Sequence, residues 1–148
     1  MFKKGSEAPI AVVGLGYVGL PLAIEFGKIL PTIGFDTNPK RISDLSKFRD
    51  SNQEHSYAEI KASKFLCFTQ NPKSLHASRF IIVAVPTPVT AAKQPDLSYV
   101  KAASQTVGKQ LQKGSIVVFE PTVYPGVTEE ICVPILEKES GLKYTRDF

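Results

Sequence analysis

The apolar run Ile10-Ala-Val-Val13 passes directly into Gly14-Leu-Gly16-Tyr-Val-Gly19, and no other feature restricts the fold of this chain so strongly. A short apolar run bounded by glycines reads as a buried strand. Behind the glycines, a helical pattern over residues 18–30 places Gly19, Leu22, Ala23, Phe26 and Leu30 on one face, and Pro31 stops it. Strand, glycine turn and helix in succession open a βαβ unit, and residues 32–36 are expected to supply its second strand, ending on Asp36.

The alternation continues. Asn38-Pro39 is a helix start, with Asn as cap and Pro at the first helical position; Ile42, Leu45 and Phe48 give that helix its apolar face. Residues 49–63 are polar, with room for a short helix over 57–62. Strands are predicted over 65–68, 80–85 and 116–119. Between the last two, after a loop to Pro95, Asp96 is expected to cap a helix carrying Val100, Ala103, Val107 and Leu111, ended by Lys113-Gly114. A last helix begins at Thr128, with Glu129 and Glu130 in its first turn, Lys138 near its end and Gly141 beyond it. Pro134 inside it predicts a bend or a late start. Residues 143–148 read as the beginning of a sixth strand. Fully apolar strands alternating with helices predict an α/β Rossmann fold: a doubly wound parallel sheet with helices on both faces, in a single domain over residues 1–148.

The glycines fit GxGxxG in the context that gives the pattern meaning, after a strand and opening a helix. Gly14 permits the tight turn, Gly16 lets the backbone approach a pyrophosphate, and Gly19 lets helix and strand pack closely. First-turn N–H groups then face the phosphates. Asp36 stands where an acid accepts hydrogen bonds from the adenosine ribose hydroxyls. It would also repel a 2′-phosphate: two unit charges at ~4 Å and an effective dielectric of ~20 interact by roughly 4 kcal/mol. That favours NAD over NADP, although Arg41 nearby is of the type that accommodates a 2′-phosphate. The competing reading is a glycine turn and a surface acid in a doubly wound fold without a dinucleotide, as in flavodoxin-like and methyltransferase domains.

Composition narrows the classes. The 148 residues are 43% hydrophobic and 22% charged, an ordinary globular balance. The net charge of +4 is spread along the chain without interleaved aromatics, which argues against nucleic acid as partner. Neither cysteine belongs to a CxxC pair, and neither His55 nor His76 has a ligand-spaced neighbour, so no metal site or disulfide framework is expected. Cys67 and Cys132 are expected to be core or half-buried thiols. No apolar run is long enough to cross a membrane and the N-terminus carries no leader pattern, so the expected location is the cytoplasm.

Several segments together resemble the UDP-sugar 6-dehydrogenase family over essentially the whole chain. They are Val13-Gly-Leu-Gly-Tyr-Val-Gly-Leu-Pro21, Gly34-Phe-Asp-Thr-Asn-Pro-Lys-Arg-Ile42, Val83-Ala-Val-Pro-Thr-Pro88, Pro95-Asp-Leu97 and Glu120-Pro-Thr-Val-Tyr-Pro-Gly-Val-Thr128. The stretch from Thr122 to Gly141 is similar to the bacterial branch acting on UDP-N-acetylhexosamines, the Vi-antigen and capsule type. The resemblance implies an NAD-dependent oxidation of the sugar C6 alcohol to the carboxylate, serving bacterial polysaccharide biosynthesis. By the same resemblance Gly14, Gly16, Tyr17, Val18 and Gly19 match the pyrophosphate loop, Asp36 and Arg41 the adenosine end, and Thr87 a position near the cofactor ribose. Thr122 matches the threonine near the nicotinamide that positions a water or the reacting oxygen. From position alone, Thr87 and Thr122 could equally cap a helix or satisfy a loop carbonyl, and Tyr17 could pack over the loop.

Two departures stand out. Pro121 replaces the usual Ser between the matched Glu120 and Thr122, removing an N–H, and Leu30-Pro31-Thr32 precedes the second strand. The family's nucleophilic Cys, its charge-stabilising Lys and Asn, the central dimerisation helix and the UDP-sugar-binding domain are expected beyond Phe148, so these residues are read as a truncated cofactor domain of a homodimeric enzyme, inactive alone and possible as a monomer. Two alternatives remain: the cofactor domain of a 3-hydroxyacid or 6-phosphogluconate dehydrogenase, and a non-catalytic Rossmann binding module.

Overall fold

Five parallel strands form one sheet in the order β3-β2-β1-β4-β5. They are β1 (Ile10–Val13), β2 (Thr32–Phe35), β3 (Leu66–Thr69), β4 (Phe80–Val83) and β5 (Ile116–Phe119). The computed structural model describes residues 8–89 and 95–148; the expectations for the first seven residues, and for 90–94 of the loop before Pro95, lie outside the described residues. β1 is central, with Ile10 opposite Thr32 on one side and Phe80 on the other. The helices are α1 (Gly19–Ile29), α2 (Pro39–Ser46), α3 (Tyr57–Ala62), α4 (Ser98–Gly108) and α5 (Val133–Ser140). A 3₁₀ turn spans Pro72–Ala77 and a π-helical turn spans Thr128–Cys132.

Alternate residues of the central strands point to opposite faces. Val12 and Ile82 pack with Leu20, Ala23, Ile24 of α1, Leu45 of α2 and Ile60 of α3. Ala11, Val13, Ile81 and Val83 pack with Ala103 and Val107 of α4 and Leu136 of α5. Helices therefore cover both faces, which makes the sheet doubly wound, and the chain order reverses between β1 and β4. At such a reversal the two neighbouring connections leave in opposite directions and open a crevice beyond the strand C-termini.

Local chemistry sets the ends. The Asn38 side chain accepts from the amides of Lys40 and Arg41, and Pro39 occupies the first turn of α2. Ser56 and Glu59 form a reciprocal capping box at α3. The Asp96 carboxylate accepts the Ser98 amide, one residue before the cap position of α4. Pro134 is accommodated by a late α-helical start: the chain runs as a π turn to Cys132, and Pro134 falls in the first turn of α5, where its missing N–H breaks no ladder bond. Gly141 closes α5 in the left-handed region, φ 73°.

Several expectations need correction. Residues 143–148 form turns, not a sixth strand: the Asp147 carboxylate accepts the Lys143 amide, the Asp147 amide donates to the Lys143 carbonyl, and Thr145 adopts φ 62°. The buried stripe of α1 is Gly19, Leu20, Ala23, Ile24 and Gly27, with Leu22 and Phe26 only partly covered and Leu30 outside the helix. α4 stops at Gly108, short of Lys113-Gly114; Leu111 follows in turns and is still buried. Cys132 is buried but Cys67 is exposed. It lies on edge strand β3, between Leu66 and Phe68, which turn to the α1 and α2 side.

Candidate dinucleotide site

At the C-terminal ends of β1, β2 and β4 a groove runs in two lobes, of about 390 and 440 Å³. Gly16, Asn52, Val85 and Pro86 border both, so the groove is continuous across the point where strand order reverses. Its floor is the glycine turn. Gly14 has φ 93°, and a Cβ there would stand 2.9 Å from the Ala84 carbonyl oxygen. A Cβ on Gly19 would stand 1.8 Å from the Gly14 oxygen. Those two glycines are required by the fold itself. Gly16 differs, since a Cβ there would meet nothing within 4 Å. Its bare backbone faces open groove.

The turn also leaves donors. The Gly14 amide bonds to Phe35 and the Leu15 amide to Asp36, but the amides of Gly16, Tyr17 and Val18 have no acceptor among the described residues. Among the described residues no side chain caps α1. Tyr17 and Val18 are both exposed beside the second lobe. An uncapped helix start with unspent amides above a Cβ-free surface suits a pyrophosphate.

Asp36 follows β2 directly and borders the first lobe. Its two oxygens accept the Leu15 and Asn38 amides, each at 2.9 Å. A carboxylate has about four lone-pair sites, so acceptor capacity remains for two hydroxyls. Arg41 lines the same lobe but turns inward. It is 8% exposed; its Nε donates to the Leu15 carbonyl at 2.9 Å and its Nη1 to Asp50 at 2.5 Å and to Ser51 at 3.0 Å. Two of its three guanidinium nitrogens are thus committed to protein, and the third, Nη2, is buried with no partner among the described residues. Burial works against the charge on Asp50, but the Arg41 hydrogen bond, the Asn52 and His55 amides and the guanidinium charge outweigh it and hold the carboxyl below its ordinary value.

On the second lobe, the Thr87 hydroxyl donates to the Thr122 carbonyl at 2.9 Å, tying the end of the β4 segment to that of β5. Thr122 itself is exposed, and Pro121 borders the lobe beside it. The neighbouring Glu120 amide is held by the Val83 carbonyl. Eight of the nine residues singled out in the sequence thus line one groove, and the ninth, Gly19, packs beneath it against the Gly14 carbonyl. Sequence reasoning missed Asn52 and the face of α4 formed by Tyr99, Ala102 and Thr106, which walls the first lobe. The i, i+3, i+7 spacing of those three was the available signal, masked by the stronger stripe of Val100, Ala103 and Val107 beside it. Neither cysteine borders the groove. Among the described residues no cluster is set to hold a metal ion, and no helix is long and apolar enough to cross a membrane.

A doubly wound sheet with this turn, this acid and this groove defines a dinucleotide-binding domain. The sequence model of the UDP-glucose/GDP-mannose dehydrogenase family, NAD binding domain, matches residues 8–148. The chain belongs to that family, as its NAD-binding domain. It is 54% identical to UDP-N-acetyl-D-glucosamine 6-dehydrogenase of Pseudomonas aeruginosa, over 96% of this chain and 34% of that protein. It is 50% identical to protein CapL of Staphylococcus aureus, over 94% of this chain and 32% of the other. Among solved structures, UDP-D-ManNAc dehydrogenase from Pyrococcus horikoshii superposes with a TM-score of 0.86 at 33% identity, covering 95% of this chain and 34% of that one. The chain spans about a third of the length of the curated relatives it matches. The residues present fit NAD: the space a Gly16 Cβ would fill, the unspent loop amides and the spare acceptor sites of Asp36 correspond to a diphosphate with a ribose diol beside it.

Proposed function

We propose that this chain is the cofactor half of an enzyme oxidising the C6 alcohol of a UDP-N-acetylhexosamine to the uronate, in the making of a bacterial surface polysaccharide. The continuous groove over Gly16, with Asp36 at one end and the Thr87–Thr122 tie at the other, carries the reading. The name of the Pseudomonas aeruginosa relative, at 54% identity, supports the substrate class. When bound, NAD supplies the hydride acceptor. Gly14 and Gly19 shape the turn; Gly16, Tyr17 and Val18 present amides to the diphosphate. Asp36 receives the adenosine ribose hydroxyls and disfavours a 2′-phosphate. Arg41 holds Leu15 and the 50–55 loop beneath the adenosine end. Thr87 fixes the Thr122 segment, and the Thr122 hydroxyl is free to hold a water or the reacting oxygen at the nicotinamide end. The 148 residues by themselves bind NADH without turning over a UDP-sugar, since neither thiol reaches the groove. The whole enzyme is a cytoplasmic homodimer with no nucleic-acid or membrane partner, a reading supported by the dispersed charge and the family resemblance.

Titration calorimetry tests the cofactor reading. NADH should bind with micromolar to millimolar affinity and NADPH more weakly. Asp36→Asn should weaken NADH roughly tenfold, the loss of a charge-assisted hydrogen bond, and narrow the gap to NADPH. A folded chain that binds neither, or prefers NADPH, refutes it.

A further inference from the structure

Of the residues that border both lobes, Asn52 alone carries a polar side chain, on a loop held in one shape. The Asp50 side chain is fully enclosed; besides Arg41 it accepts the amides of Asn52, Glu54 and His55 at 3.0, 3.0 and 3.1 Å. The loop is thus wound around a buried ion pair. Gln53 takes φ 58° to follow it, a strained conformation for a residue with a side chain. Burying an ion pair and straining a residue are unfavourable unless the loop must hold one shape.

What that shape does is place Asn52. It is the one residue of this loop that borders both lobes, together with Gly16 and the Val85-Pro86 segment. Its carboxamide makes no hydrogen bond among the described residues, its backbone amide alone being used. The middle of a dinucleotide is its diphosphate, so the group spanning the junction of the lobes is the charged one. Among the described residues Arg41 is the one basic side chain lining either lobe; it borders the first lobe only, its Nε and Nη1 are spent on protein, and its Nη2 is buried without a partner. At the junction with the second lobe, which Arg41 does not line, the donors on the described residues are neutral: the glycine-turn amides and the Asn52 carboxamide.

We propose that Asn52 is a cofactor-binding residue: its carboxamide NH₂ donates to the diphosphate beside the glycine-turn amides, and the Asp50–Arg41 pair is the positioning device that holds it there. This rests on the cofactor reading above. Calorimetric titration of the chain with NADH and with ADP-ribose, and NMR titration with adenosine, test it. Asn52→Ala should weaken NADH and ADP-ribose by the same factor, roughly tenfold for a hydrogen bond to a charged group, and leave adenosine unchanged. Asn52→Asp should weaken both further, because a carboxylate then faces the diphosphate, whereas Asn52→Gln should recover part of the loss. The melting temperature of Asn52→Ala should match the parent, since its side chain has no partner to lose. Unchanged NADH affinity in Asn52→Ala overturns the proposal while leaving the cofactor reading intact. Equal losses for adenosine and ADP-ribose also overturn it, by showing that the loop as a whole had collapsed. Failure of the parent chain to bind NADH overturns both.

Discussion

At the residue scale, Gly16 and Gly19 should respond oppositely to the same methyl group. Gly16→Ala places it in open groove at a backbone conformation without positive φ, so stability should stay within about 0.5 kcal/mol of the parent, or rise slightly through the unfolded state. NADH binding should nonetheless be lost. Gly19→Ala drives the methyl into the Gly14 carbonyl, and should cost about 2 kcal/mol or more in urea unfolding before any ligand is considered. If both variants lost stability alike, the space above Gly16 would not be the ligand's. The glycines were legible because each answers to a local rule about turn and close approach. Asn52 was not: its place depends on Arg41 and Asp50 meeting, and nothing in a sequence window shows a buried ion pair between a helix and the loop after it.

At the scale of elements, that ion pair is the tie between α2 and the 50–55 loop. Asp50→Asn preserves volume and one acceptor but leaves the Arg41 guanidinium buried without a counter-charge. It should cost about 3 kcal/mol in chemical denaturation and weaken NADH at the same time, unlike Asn52→Ala, which should separate the two. Elements with strong local signals were placed correctly: the central strands, the Asn38-Pro39 start and, of the bend or late start expected at Pro134, the late start. The misreadings share a cause. Residues 143–148 have strand-like composition, yet the Asp147 carboxylate offers the backbone a nearer acceptor than β5 does. Cys67 sits in an apolar run, but edge position rather than composition decides that its face stays bare. The rotated stripe of α1 likewise reflects packing against the sheet, where Gly27 approaches Leu66 too closely for any larger residue.

Across the whole molecule, acid should unfold the protein in an ordered way. Asp50, Glu59, Asp96 and Glu137 all lie below their ordinary values, and Asp147 is lowered from 3.8 to about 2, first by its hydrogen bond from Arg146 and next by that from the Lys143 amide. Each such group binds its proton more readily in the unfolded chain, so its contribution is fully present above its ordinary value, 3.8 for the aspartates and 4.5 for the glutamates, and is lost as pH falls through the folded value. Melting temperature followed from pH 7 downward should hold until about pH 4.5 and then fall, with the contribution of Asp147 lost near pH 2. Asp147→Asn should melt lower at neutral pH and show a shallower acid limb; a variant with the parent's full slope would show that the carboxylate is not what fixes the C-terminal turns.

The position of β1 in the middle of the sheet has a bearing on synthesis. Emerging first, Ile10–Val13 gains β2 within one helical crossover, but its other edge is reserved for Phe80–Val83, which leaves the ribosome far later. During that interval the nascent chain carries an apolar edge with unsatisfied amides and carbonyls, open to any extended segment nearby, including the same stretch on the next chain of a polysome. Yield during rapid expression should therefore be limited by how soon β4 arrives, rather than by the equilibrium stability of the finished fold.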